Sequence, residues 1–261
     1  RDIEPETNTV ADLIPQILPG SADEFRLLTD AVGEKGYRQI DINLGCPFPM
    51  IAGKHKGAGM LLYPAQVAEV LAPIAEYPEI QFSLKMRLGW ENASECMVLV
   101  ELLNTLRLSR IALHARTGKQ QYKGHPDLEA FQGFYELCQH PLYYNGGIES
   151  LSDIRQILIR FPLLKGVFIG RGLLSSPLLA KEFKGNETFL PEQRMSIYFA
   201  FHEELFSAYS QVLQGETQLL VKMKTLWEYF LPETDRKLLK RIKKSTRLQQ
   251  YTESVKAIFT S

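Results

Sequence analysis

The sequence is poor in cysteine, carries no excess of either charge and contains no long apolar run. Its three cysteines, Cys46, Cys96 and Cys138, are far apart and odd in number. No pair has metal-ligand spacing, so no metal site is expected. A disulfide framework does not suit so large a chain with so few thiols, and a reducing setting fits. Basic and acidic residues number 30 each, and the pI is about 7.1. Overall charge therefore gives no argument for a nucleic-acid partner; such an argument has to be local. No stretch approaches the roughly 18 apolar residues that a membrane span needs. The opening RDIEPETNTV is polar and unlike a secretory signal. A cytoplasmic protein acting without a membrane is expected, as a monomer. No internal repeat or low-complexity tract stands out.

What the sequence does contain is alternation. Short β-rich apolar runs at Leu13–Leu18, Gln39–Leu44, Gln81–Arg87, Arg110–His114, Leu142–Asn145 and Gly166–Gly170 predict strands. Helix-patterned segments lie between them: Ala22–Lys35, Pro64–Glu76, Ser94–Leu106, Asp127–Gln139 and Ser152–Arg160. Ser21 and either Ser152 or Asp153 suit N-cap positions. Strand–helix alternation with apolar strands implies a parallel sheet covered on both faces. Six βα units are two short of a closed eight-stranded barrel, and an open doubly wound sheet would also tolerate six. The polar residues favour the barrel. Gln16, Asn43 with Cys46, Lys85 with Arg87, His114 with Arg116, Asn145 and Arg171 all fall at or just past strand C-terminal ends. In a barrel those positions converge on one mouth. After about residue 186 the alternation stops. Four helix-patterned segments, Pro191–Leu213, Thr217–Phe230, Asp235–Lys244 and Thr252–Phe259, predict a small helical bundle. The expected domains are thus a barrel over residues 1–186 and a helical domain over 187–261.

The stretch DINLGCP (Asp41–Pro47) is the most informative. Gly45 permits an unusual backbone angle and Pro47 stiffens the turn, so Cys46 would be presented at the mouth. The bland reading is a core cysteine, the commonest fate of a free thiol. In SLKMRLGW, Lys85 and Arg87 share one strand face, with Leu84 and Met86 on the other. Two inward cations need a negative partner, either a cofactor or substrate anion or a structural carboxylate such as Asp41. His114 and Arg116 again share a face. Asn145-Gly146-Gly147 and Gly170-Arg171-Gly172 each close a strand and precede a helix. Glycine turns with a helix N-terminus make an anion site, and barrels often hold phosphate after strands seven and eight. On that count Leu13–Leu18 is strand three, and strands one and two are not represented.

The local charge argument lies near the C-terminus. Arg236, Lys237, Lys240, Arg241, Lys243, Lys244 and Arg247 follow one another with no acidic residue between them. Leu238, Leu239 and Ile242 give that helix one apolar stripe, so the cations cover the rest. Such clustering is either a solvated face or a grip on a phosphate backbone, to which Lys222 and Lys224 could add.

Taken in order, NLGCP, the glycine-rich loop before LLYP, SLKMRLGW, HARTGKQQYKG, YYNGGI and GVFIGRGLL resemble the tRNA-dihydrouridine synthases. The resemblance covers most of the chain, and the tail resembles that family's helical tRNA-holding domain. It implies an FMN-binding (β/α)8 TIM barrel, NADPH as the usual reductant, and tRNA as partner. On the same basis Cys46 matches the proton donor, and Gln16 and Lys85 match residues contacting the flavin rings. His114 matches a histidine at the flavin site. Asn145, Gly146, Gly147, Gly170 and Arg171 match positions around the FMN phosphate and ribityl chain. Asn43, Arg87 and Arg116, with Lys240, Arg241, Lys243 and Lys244, are expected on the substrate side. Three other functions stay open: an FMN barrel oxidoreductase acting on a small molecule, a flavin-free phosphate-binding barrel, and an RNA-binding module without catalysis.

Overall fold

The computed structural model describes residues 3–8 and 13–260; parts of the polar opening segment and Ser261 lie outside them. Two compact units result, Arg1–Gly147 with Ile154–Phe168 and Ile148–Asp153 with Ile169–Ser261.

The first unit is built on six parallel strands: β1 Gln16–Ile17, β2 Gln39–Leu44, β3 Gln81–Gly89, β4 Leu108–Thr117, β5 Leu142–Asn145 and β6 Gly166–Phe168. They lie side by side in sequence order. A doubly wound sheet must reverse that order at its switch point. Here every step goes the same way, and with right-handed crossovers this puts the connecting helices on one face, as in a (β/α) barrel. Among the described residues β1 and β6 form the two edges of the sheet and do not pair with each other.

The helices α1 Ala22–Gly33, α3 Pro64–Leu71, α4 Glu95–Thr105, α5 Leu128–Leu137 and α6 Leu151–Arg160 supply the crossovers, with a short α2 at Pro49–Ala52. Ser21 caps α1 as its type predicts, its hydroxyl accepting from Glu24 N at 3.2 Å. At α6 the cap falls on Ser150, not on Ser152 or Asp153. Its hydroxyl accepts from Asp153 N, while the Asp153 carboxylate accepts from Ser150 N at 2.8 Å. That reciprocal pair is a capping box with Asp153 at the third helical position. The predicted helix Pro64–Glu76 is two pieces, since Pro73 lacks the N–H that would continue it and Ala72–Glu76 tightens into a 3-10 turn. β1 is shorter than the predicted Leu13–Leu18. Pro15 still accepts from Asp41 N at 2.9 Å but has no N–H to donate, and Pro19 closes the run.

Strand alternation sorts the sheet into two chemically distinct faces. Ile40, Ile42, Leu44, Phe82, Leu84, Met86, Ile111 and Leu113 point one way and are fully buried. Each such side chain contributes about 1.5–3 kcal/mol by leaving water. The other face carries Gln16, Asp41, Asn43, Ser83, Lys85, Arg87, His114, Arg116 and Asn145. Register sets them side by side: Gln16 beside Asp41, Asn43 beside Lys85, Arg87 beside His114 and His114 beside Asn145.

The second unit is helical: α7 Arg171–Ser175, α8 Leu179–Gly185, α9 Pro191–Val212, α10 Glu216–Leu226, α11 Arg236–Lys244 and α12 Leu248–Phe259. Its core gathers Tyr198, Leu219, Met223, Trp227, Phe230, Ile242, Tyr251, Val255 and Ile258. The sequence boundary at 186/187 falls later than the structural one at 168/169. The segment between them packs with the helices: Leu178 joins that core, Ser176 and Tyr198 share a hydroxyl bond at 2.7 Å, and Leu231 N donates to Ser175 O. Within the core, one proton arrangement satisfies a polar chain. Trp227 Nε1 donates to Tyr251 Oη (3.0 Å), Tyr251 Oη donates to His202 Nε2 (2.6 Å), and His202 Nδ1 donates to Glu203 (3.0 Å).

Candidate active site

Cys46 is placed by the end of β2. The Asn43 side-chain oxygen accepts from Gly45 N at 2.9 Å and Cys46 N at 2.8 Å, an Asx-type turn that bends the chain as it leaves the strand. Asn43 Nδ2 donates to Gln16 Oε1 (2.6 Å), Gln16 Nε2 donates to Asp41 (2.6 Å), and Ser83 Oγ donates to the other Asp41 oxygen (2.6 Å). Gln16 keeps one N–H and one lone pair free of these bonds. The glycine-rich loop closes over the cysteine. Ala58 N donates to Cys46 O at 3.0 Å, and a Cβ on Gly57 (φ +56°) would come within 2.9 Å of Cys46 Cβ. Only glycine fits there. Lys56, next in the chain, is tied to Glu24 at 2.6 Å. Cys46 is half-buried, whereas Cys96 is fully buried and its thiol is pushed up to about 12 by burial.

Lys85 stands next to Asn43 in the register and has no hydrogen bond or ion pair among the described residues. Burial first, and the Arg87 charge second, push its ammonium below the ordinary lysine range, while Asp41 and Cys46 act in the opposite direction. The structural ion pair with Asp41 is thus not made; Asp41 is bonded to Gln16 and Ser83 instead.

Arg87 differs from its expected place on the substrate side. It is 1% exposed, and its guanidinium donates to three backbone carbonyls, Gly45 (2.9 Å), Thr117 (2.9 Å) and Gln121 (2.7 Å). Its carbon lies 5.5 Å from the centre of the Tyr122 ring. Arg87 therefore braces the cysteine turn against the loop after β4. Burial lowers it to about 10, and it stays charged at neutral pH.

His114 and Arg116 are both 5% exposed. Arg116 Nη1 donates to His114 Nε2 at 3.2 Å, which places the ring proton on Nδ1, and Arg116 also holds Gly124 O. The His114 ring lies 6.2 Å from that of Tyr122. Gly146 (φ +129°) approaches so closely that a Cβ would sit 3.1 Å from the imidazole, so the Asn-Gly-Gly turn packs on His114. Asn145 Nδ2 donates to Phe168 O at 2.7 Å, joining β5 to β6. Gly170 and Arg171 lie in the second unit, where Gly170 caps α7 and meets nothing within 4 Å of its Cβ position. Tyr122, between Arg87 and His114, is 55% exposed and was missed by sequence reasoning. Its only signal was membership of the HARTGKQQYKG stretch.

The second unit carries the cationic surface. Leu238, Leu239 and Ile242 pack into its core, and Arg236, Lys237, Lys240, Arg241, Lys243, Lys244 and Arg247 are exposed. Among the described residues none of these seven makes an ion pair. Lys237, Lys240, Arg241 and Lys244 line a shallow concavity of about 410 Å³ together with Gln250 and Glu253. Lys224 donates to Ser245 O, so it is partly committed to structure. No described helix is long and apolar enough to cross a membrane, and no three described His, Cys, Asp or Glu residues cluster as a metal site.

Parallel strands in sequence order, with an ammonium and an imidazole on one polar face and a thiol in the turn just past β2, define an α/β chain with the strand order of a (β/α) barrel. The chain belongs to the dihydrouridine synthase family: the model of that family, "Dihydrouridine synthase (Dus)", matches residues 3–260. Among curated relatives, tRNA-dihydrouridine synthase B of Vibrio vulnificus is 28% identical over 174 residues, 64% of this chain and 54% of that protein. A probable tRNA-dihydrouridine synthase of Rhizobium leguminosarum is 32% identical over 53% of this chain and 44% of that protein. The Pseudomonas putida tRNA-dihydrouridine synthase B is 27% identical over 69% and 52%. The chain thus spans about half the length of the curated relatives it matches. Among solved structures, morphinone reductase superposes with a TM-score of 0.48 at 13% identity over 66% of this chain and 51% of that one, too distant to bear on the chemistry.

Proposed function

We propose that the protein reduces uridines of tRNA to 5,6-dihydrouridine in the cytoplasm, with FMN as bound cofactor, NADPH as reductant and Cys46 as proton donor. The observation that carries this reading is the position of Cys46. Asn43 fixes it just past the end of β2, within electrostatic reach of Lys85, an ammonium with no ion pair among the described residues.

The donor set suits a flavin. Lys85 offers a cation to an electron-rich ring edge, Gln16 offers one N–H and one lone pair, and the Asn145-Gly146-Gly147 turn offers backbone next to His114. FMN, when bound, supplies hydride chemistry at carbon 6 of uracil. This chain's own residues do the rest. Cys46 Sγ gives its proton to carbon 5, and the charge left on sulfur is offset by Lys85 and Arg87, both within electrostatic reach. The thiol regains a proton from solvent. His114, held by Arg116, orients the rings. A general acid of this kind contributes on the order of a hundred- to ten-thousand-fold in rate. A target uridine has to be unstacked to reach such a face. The exposed cations of α11 grip the phosphate backbone without reading sequence.

The test is mass spectrometry of tRNA from cells lacking the gene. A subset of dihydrouridines disappears, the wild-type gene restores them, and Cys46→Ala does not. Restoration by Cys46→Ala would remove the assigned role of the thiol; an unchanged dihydrouridine pattern in the gene-lacking cells would remove the function.

A further inference from the structure

Three stretches singled out in the sequence have parts that the catalytic reading leaves without a role: LLYP, the Gly-Trp end of SLKMRLGW, and the Gly-Lys-Gln-Gln centre of HARTGKQQYKG. They meet in one pocket of about 430 Å³ in the first unit, lined chiefly by His55, Tyr63, Trp90, Gly118, Lys119 and Gln121. That volume is within the range of small-ligand sites.

The pocket is built of rings held by stiff loops. The His55 and Tyr63 rings stack with centroids 4.3 Å apart, and both side chains are exposed. Two non-glycine residues of its wall, His55 (φ 52°) and Gln121 (φ 51°), are held in the left-handed region. Such residues cost about 1–3 kcal/mol each and persist only where the surroundings impose them. The Trp90 loop is clamped by the Glu95 carboxylate, which accepts from Trp90 N (2.6 Å), Glu91 N (3.1 Å) and Asn92 N (2.7 Å). Lys119 N donates to Trp90 O at 2.9 Å, and a Cβ on Gly118 would strike the Trp90 ring at 2.2 Å. Lys54, between the lining residues Gly53 and His55, is an exposed cation with no ion pair among the described residues. The wall that carries His55 continues directly into Gly57 and Ala58, which pack on Cys46.

We propose that this pocket receives an unstacked nucleobase of the RNA substrate, neighbouring the reacting uridine, with Lys54 toward its phosphate, Lys119 being paired with Glu91 at the rim. Stacked, exposed aromatic rings beside cations are how proteins hold bases of single-stranded RNA without reading their edges. The assignment rests on the reading that the substrate is RNA.

Binding of a labelled tRNA transcript to the 261-residue chain, followed by fluorescence anisotropy across a salt series, tests it. Tyr63→Ala is expected to weaken binding on the order of tenfold, with the slope of affinity against salt unchanged because no phosphate contact is lost. Tyr63→Phe keeps wild-type affinity. His55→Asn, which tolerates the left-handed backbone while removing most of the stack, falls in between. None of these changes alters affinity for a blunt RNA duplex. Equal tRNA affinity of Tyr63→Ala and wild type, or an equal loss on the duplex, overturns the pocket assignment and leaves the RNA reading intact. Absence of salt-sensitive tRNA binding by the wild type overturns both.

Discussion

The two units handle buried polar groups in opposite ways. In the helical unit the indole N–H of Trp227, the Tyr251 hydroxyl and the His202 ring close on one another, and the chain ends on the exposed carboxylate of Glu203. Every donor has an acceptor and nothing is left over for a ligand. On the polar face of the sheet, Asp41, Gln16 and Asn43 are linked up to the cysteine turn, yet the Lys85 ammonium beside them has neither a hydrogen bond nor an ion pair among the described residues. A buried polar group left without a partner costs more than a mean hydrogen bond returns. The first arrangement therefore serves stability, and the second keeps capacity for something that binds.

The contrast can be broken at its strongest point first. Tyr251→Phe removes the centre of the helical chain and strands two buried groups, Trp227 Nε1 and His202 Nε2, at about 1–3 kcal/mol each. Urea unfolding of the purified chain is expected to lose a few kcal/mol, with flavin binding unchanged. A near-neutral result would mean that water replaces the hydroxyl and that the chain is not closed.

Lys85→Met asks the converse. If the ammonium is held for a ligand, its removal leaves the thermal midpoint unchanged or slightly raised, since a partly buried charge is no longer desolvated. FMN affinity, measured by fluorescence quenching, falls on the order of tenfold, about 1.4 kcal/mol. A drop of several degrees in the midpoint would show instead that Lys85 supports the sheet.

The smallest effect is in pH. Burial lowers His202 below the ordinary histidine range, with Glu203 opposing. As pH falls the unfolded chain takes up the proton first, near 6.5. Stability present above that pH is lost on the way down to the lowered native value, by at most about 1.4 kcal/mol per pH unit, and then levels off. The groups that face His202 are Glu203, Tyr251, Trp227 and Phe206, and of these Tyr251 is pushed upward by burial, away from this window. Thermal melts between pH 7.5 and 5 check this; a flat profile would contradict it.

The sequence made much of the sheet legible because a period of two shows directly in QIDINL and SLKMR. Cys46 could be placed at a strand end from the Asn-Leu-Gly-Cys-Pro run alone. The role of Arg87 could not be read, because its partners are backbone carbonyls of Gly45, Thr117 and Gln121, which leave no side-chain pattern. The same holds for Gly57 against Cys46, a contact made by the lack of an atom. The boundary of the helical unit was placed too late since α7 and α8 look like a further crossover helix until Leu178 is seen in the other core. The pocket of His55, Tyr63 and Trp90 joins segments too distant in sequence for any local rule to connect.

Sequence order in the sheet also bears on how the chain assembles. Each strand docks on the one made just before it, and the bonds that set the cysteine turn span only 25, 27 and 42 residues. Contacts of such short range close early. A ribosome extending the chain would have supplied every partner of Asn43, Gln16 and Asp41 once β3 emerged, well before any residue of the helical unit. The turn that holds the thiol is then set on the nascent chain, and Arg87 has only to reach Thr117 and Gln121 to brace it.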